Sequence, residues 1–158
     1  MNRIGILLFV LLGLGFMSCE PTAQEMIIGK WKYSRLVKNG KPFLSNDPVE
    51  ARRIIDKLVS ENLDYMKDVA KFRDNAENEM EQRLNVFLEF KSDSTVAIIT
   101  KTSGADLVEN WKYSINEESK NIVIESGERK IQYVYQLDKD KLKLSEGPLK
   151  IELEKVEQ

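Results

Sequence analysis

Most of this chain alternates. From Ile28 onward apolar and polar side chains trade places at every residue, the period of a strand with one buried face. The first strand, Ile28–Val37, sets Trp31 and Tyr33 against Lys30, Lys32 and Ser34. The rhythm resumes at Val86, Leu88 and Phe90, then at Val96 and Ile98, then at Leu107, Trp111, Tyr113 and Ile115. It continues through Ile122 and Ile124, through Ile131, Tyr133, Tyr135 and Leu137, through Leu142 and Leu144, and ends on Leu149, Ile151 and Leu153. Between these runs stand turn-forming groups such as Lys91-Ser92-Asp93-Ser94, Thr102-Ser103-Gly104, Ser126-Gly127-Glu128, Asp138-Lys139-Asp140 and Ser145-Glu146-Gly147-Pro148. Connections this short join antiparallel neighbours. Eight such strands in succession, each with one apolar face, hide that face and their edges together by closing into an up-and-down barrel.

One stretch breaks the rhythm. From about residue 47 to residue 84 the spacing is helical, opened by Asp47-Pro48-Val49-Glu50, a cap, a first-turn Pro and a Glu three residues after the cap. Apolar positions recur at Ala51, Ile55, Leu58, Tyr65, Val69, Phe72, Ala76 and Met80, and the remaining positions are densely charged, as on a solvated face. A single helix here would run roughly 54 Å, longer than the domain is wide, so a break is expected near Ser60–Asn62 or Asp74–Asn75. The expected fold class is therefore all-β with an α-helical insertion. It is an eight-stranded antiparallel up-and-down barrel with the helical insert between strands 1 and 2.

The N-terminus carries an address. Ile4 to Met17 is an unbroken run of 14 apolar or glycine residues behind Met1-Asn2-Arg3. A bilayer span needs about 20 such residues, whereas the core of an export signal needs about 7–15. The run ends in Phe16-Met17-Ser18-Cys19, which resembles a bacterial lipobox. That resemblance implies cleavage before Cys19 and acylation of its thiol. The chain then divides into a signal peptide (1–18), a tether (19–26) and a barrel domain (27–158). The lipid on Cys19 would hold it in the bacterial cell envelope, at the outer membrane, with the domain on the periplasmic or surface face.

Composition narrows the chemistry. The 158 residues include no His, one Cys and 24 Lys+Arg against 26 Asp+Glu. His-based triads, zinc sites with His or several Cys, and a disulfide framework are excluded. A net charge of −2 with interspersed signs leaves no basic footprint for nucleic acid. No motif fixes a pair of carboxylates for acid–base work, so neither an enzyme, a cofactor nor a metal is expected.

The stretch Ile28-Gly29-Lys30-Trp31-Lys32-Tyr33 resembles the Gly-x-Trp signature that opens the first strand of lipocalins and fatty-acid-binding proteins. With Leu88-Glu89-Phe90-Lys91-Ser92-Asp93-Ser94-Thr95 and Asn110-Trp111-Lys112-Tyr113, the chain from Ile27 to Val156 resembles the lipocalin-like (calycin superfamily) lipoproteins of Bacteroidetes. The resemblance implies a barrel with Trp31 packed across one end and room for a small apolar or amphipathic molecule. Two features depart from it. Lipocalins stack a late Arg on that Trp, and no Arg follows Arg129. Their main helix also follows the eighth strand, whereas an insert after the first is the arrangement of fatty-acid-binding proteins. On the inward parity the candidate ligand contacts are Trp31, Tyr33, Phe90, Trp111, Tyr113, Tyr133 and Tyr135, accompanied by Arg35 and Glu109. The same bulky set would equally suit a solid barrel, in which case the helical insert or rim loops would hold a protein partner.

Overall fold

The computed structural model describes residues 21–157; the leader and Cys19 lie outside them. The described residues form nine strands: β1 (Gly29–Lys38), β2 (Lys41–Ser45), β3 (Val86–Phe90), β4 (Thr95–Thr100), β5 (Leu107–Asn116), β6 (Asn121–Ser126), β7 (Arg129–Asp138), β8 (Lys141–Glu146) and β9 (Leu149–Lys155). From β3 to β9 each strand pairs with its successor, and β1 pairs with both β3 and β9. The sheet thus closes into the expected cylinder of eight antiparallel strands in chain order.

The ninth strand, β2, is additional. Along one edge of β1, Gly29–Lys32 pairs with β3 and Arg35–Lys38 pairs with β2, so β2 takes over the edge that β3 leaves. Lys41-Pro42-Phe43-Leu44-Ser45 gives little warning of this, because it is short and contains a Pro, which lacks a donor N–H. The helical insert consequently follows the second strand of the chain and not the first. Within the cylinder it still separates the first stave from the next.

Short helix α1 (Ala23–Ile27) precedes the barrel, and the insert holds α2 (Pro48–Asn62), a 3-10 turn (Leu63–Tyr65) and α3 (Val69–Leu84). The break at Asn62 is the first of the two expected. Each long helix starts on an Asp cap: Asp47 accepts the Glu50 N–H at 2.7 Å and Asp68 accepts the Lys71 N–H at 3.0 Å. The buried face differs from the stripe read off the sequence. Ile54, Ile55, Val59 and Met80 pack on Leu44 of β2, with Leu36, Ala51, Phe72, Ala76 and Leu84 around them. Leu58 and Tyr65 stay out, 39% and 87% exposed. The surface that selects the buried face is β2, and β2 was not legible.

One end of the barrel is closed. Here β1 begins and the turns between β3 and β4, β5 and β6, and β7 and β8 lie. Helix α1 covers it through the fully buried Ile27, whose carbonyl accepts the Trp31 Nε1–H at 2.7 Å. Beneath α1, Phe90 and Tyr113 meet edge to face, with ring centroids 5.0 Å apart. The missing late Arg has a substitute. Lys155, at the end of β9, holds its ammonium 5.2 Å above the Trp31 ring and donates to the Met26 carbonyl at 3.0 Å. Gly29 makes room for that stem: its φ is +126°, and a Cβ there would stand 3.1 Å from Lys155 Cε.

A β-bulge resets the wall. In the β1–β9 ladder Tyr33 faces Leu153 while Arg35 faces Glu152, leaving Ser34 as the extra residue. Past it the alternation inverts. Arg35, expected inside, therefore points outward, and Leu36 takes the inward position. The Arg35 guanidinium grips Glu50 of α2 with Nε–Oε2 at 2.7 Å and Nη2–Oε1 at 2.6 Å, and reaches Glu152 at 3.3 Å. This fork ties the helical insert to the barrel wall. Its hydrogen bonds hold the Glu50 carboxyl below the usual carboxylate range.

Trp31 is 0% exposed, so Trp31→Ala should cost about 3–5 kcal/mol of unfolding free energy. Leu58→Ala, on the stripe that the sequence suggested but the fold leaves out, should cost less than about 1 kcal/mol. Denaturant unfolding of the two variants checks the contrast.

Candidate functional site

The inner wall of a narrow barrel is either filled or left with a small vacancy, according to the bulk at each level. Here the seven aromatic candidates join one continuous cluster but occupy two levels. Trp31, Phe90, Tyr113 and Tyr135 are at most 3% exposed and fill the closed end, with Val96, Ile122, Leu142 and Leu153. Tyr33, Trp111 and Tyr133 are half-buried and pack on top of that floor. The chain direction explains the division. β1 runs from the closed end toward the mouth while β5 and β7 run from the mouth toward the closed end, which brings Tyr33, Trp111 and Tyr133 to mid-height.

Above them the wall is lined by Leu36, Ile98 and Leu149, all partly buried against the core. The lip is apolar on β5, where Leu107 is 63% and Val108 53% exposed. Glu109 shares the inward parity of Trp111, as expected, and stands near the mouth. Its carboxylate accepts the Trp111 Nε1–H at 3.1 Å, which fixes the tilt of the half-buried indole. A charge at that depth is tolerated because water still reaches it.

Phenols dominate the polar chemistry of the interior. Burial, reinforced by the neighbouring Tyr133, pushes the Tyr33 hydroxyl from its ordinary 10.0 up to about 12. Tyr133 is raised by burial and then by the Glu146 carboxylate. Tyr113 and Tyr135 are raised mainly by burial as well. All four are therefore neutral hydrogen-bonding groups at neutral pH. The two floor phenols differ in their partners. Tyr113 Oη donates to the Lys91 carbonyl and accepts from Gln24 Nε2, both at 2.9 Å, whereas the buried Tyr135 hydroxyl has no partner among the described residues.

Tyr33, Trp111 and Tyr133 thus present a partly accessible aromatic surface above a buried floor, with the Glu109 carboxylate beside it. Among the described residues no three His, Cys, Asp or Glu side chains converge as metal ligands. Outside the cylinder, a groove of about 460 Å³ runs between β2 and α2, bordered by Phe43, Ile54 and Leu58. The sequence could not separate floor from cup, because parity tells inside from outside and says nothing of height.

No protein-family model matches the sequence, and no curated protein matches it. Solved structures do. A lipocalin-like protein from Bacteroides uniformis is 14% identical, with 83% of this chain and 99% of that one aligned at a TM-score of 0.52. A DUF4847 family protein from Bacteroides vulgatus is 11% identical, with 84% and 96% aligned at a TM-score of 0.54. At these identities the likeness concerns the fold: the chain forms a lipocalin-like domain.

Because folding raises the Tyr33 pKa, the folded state favours the neutral phenol. That contribution is whole below about pH 10, where the unfolded phenol begins to ionise, and is lost as the pH climbs toward about 12. Stability measured by denaturant across this window should fall steeply. In Tyr33→Phe the fall should be visibly shallower, and tyrosinate absorbance should lose its last step.

Proposed function

We propose that this protein is an exported lipoprotein, anchored through Cys19, whose lipocalin-like barrel binds a small apolar or amphipathic molecule at its mouth and performs no chemistry on it. The reading of the leader rests on the basic start, the 14-residue apolar run and Ser18-Cys19. One observation carries the binding reading: Tyr33, Trp111 and Tyr133 remain partly accessible on the inner wall above a floor that is already filled. Apolar surface kept open inside a cylinder is costly unless something occupies it. The lipocalin-like fold, which surrounds such a cup with a closed wall, supports the same reading.

The test uses the chain without its leader and a hydrophobic fluorophore that brightens in apolar surroundings. Binding should saturate, should quench Trp111 and should be competed by unlabelled amphiphiles. Trp111→Ala should weaken it about 2–12-fold, the loss of one stacking aromatic. A protein that neither brightens the fluorophore nor releases any small molecule on denaturation would speak against the cup as a binding site.

A second reading has its own observation. The tip of the helical insert exposes Tyr65 (87%), Leu63 (52%) and Val69 (41%) together, more apolar surface than a solvated turn needs. On this reading the insert holds a protein partner. A photo-crosslinker at residue 65 should then capture one defined protein in intact cells. Leu63→Ser with Val69→Ser should abolish that capture while leaving fluorophore binding and thermal stability unchanged.

A further inference from the structure

The closed end carries more than a plug. The chain enters the barrel there, and it enters already fastened. Thr22 caps α1 and exchanges both bonds of a capping box with Glu25. The Ala23 N–H donates to Glu117 at 2.8 Å in the turn between β5 and β6, and Gln24 reaches Tyr113 at 2.9 Å. Lys155 holds the Met26 carbonyl, and Ile27 is fully buried. The segment expected to be a tether as far as residue 26 is therefore part of the domain from Thr22 on. Between Cys19 and Pro21 there is one residue, Glu20. Two Cα–Cα steps span at most about 7 Å, whatever conformation they take.

From this we infer that the barrel stands on the membrane by its closed end, with the mouth turned away from the lipid surface. The inference rests on the reading of Cys19 as the acylated residue. A Cys19 Cα held within about 7 Å of the Pro21 Cα, with the acyl chains a short side-chain linker beyond it, brings the closed end of the domain to the bilayer. The surface laid against the headgroups is made of the turns at Lys91–Ser94, Asn116–Lys120 and Asp138–Lys141. The opposite rim carries Asn39-Gly40, Thr102–Ala105, Gly127-Glu128 and Gly147-Pro148. The ten residues of β7 measure about 33 Å along the strand, or about 25 Å along the axis of a barrel with ordinary strand tilt. Tyr33, Trp111 and Tyr133 then open toward the aqueous side. A molecule bound there is exchanged with that side or with another protein, and does not slide in from the membrane that holds the anchor.

The experiment uses the processed, acylated protein that begins at Cys19, in phosphatidylethanolamine/phosphatidylglycerol vesicles. Acylation consumes the one cysteine of the chain, so single reporters can be introduced at exposed turns: Ser119→Cys and Lys139→Cys at the closed end, Ser103→Cys and Glu128→Cys at the mouth. Each receives an environment-sensitive fluorophore, and lipids with a headgroup-depth quencher are added. Quenching should be at least about five-fold stronger at 119 and 139 than at 103 and 128, given the separation of the two ends. Twelve Gly/Ser residues inserted between Glu20 and Pro21 should erase the difference while the protein stays on the vesicles. Equal quenching at both ends with the native spacing, or stronger quenching at the mouth, overturns the orientation and leaves the anchor standing. A protein that washes off the vesicles overturns the anchor, and the orientation with it. Fluorophore binding by the leaderless chain tests the cup independently of both.

Discussion

Everything in this fold depends on β1 being paired along both edges. One edge meets β9 along almost its whole length, and the other is divided between β3 and β2. Without the β1–β9 ladder the eight staves would form an open sheet with one greasy face and two raw edges. Trp31 sits on β1 at the seam, between Leu88 of β3 and Lys155 of β9. Its indole fills the end of the cylinder, its N–H is satisfied by the turn of chain that leads in, and the ammonium of Lys155 lies over its face. A Lys can replace an Arg in this role because the demand is for a cation above a ring and a donor to one carbonyl. The planar fork of a guanidinium is not needed.

The plug also explains why the interior is uneven. Once Trp31, Phe90, Tyr113 and Tyr135 occupy the closed end, the remaining inward residues cannot descend, and Tyr33, Trp111 and Tyr133 are left packed on a finished floor. The Trp111 N–H is given to Glu109, and burial favours the neutral form of both phenols. The partial exposure of these three rings follows from where the bulk was placed.

The helical insert is held by a different logic. Its core on Leu44 is small, and it is attached to the cylinder by Leu36, which touches both cores, and by the Arg35–Glu50–Glu152 cluster. A one-residue bulge at Ser34 creates both contacts, since it turns Arg35 out to meet α2 and Leu36 in to bridge the cores. Pairs that water still reaches, as here, contribute little individually. Their value is in orientation, because a bidentate fork admits one approach of the helix.

By itself the sequence determined the staves, their order, the antiparallel closure, a break in the helical insert at one of two places, and the inward parity of Trp31, Tyr33, Phe90, Trp111, Tyr113, Tyr133 and Tyr135, with Glu109 on the same face as Trp111. These follow from alternation and turn chemistry, which act between near neighbours and can be seen in a single chain. Tertiary structure alone decided the rest. It recruited Lys41–Ser45 as a ninth strand, inverted the parity of Arg35 at Ser34, chose Ile54, Ile55 and Val59 over Leu58 and Tyr65, and separated floor from cup. Each of those outcomes depends on what lies opposite a residue across the fold. Partners more than a hundred positions away, such as Lys155 for Trp31 or Glu152 for Arg35, leave no mark on local spacing.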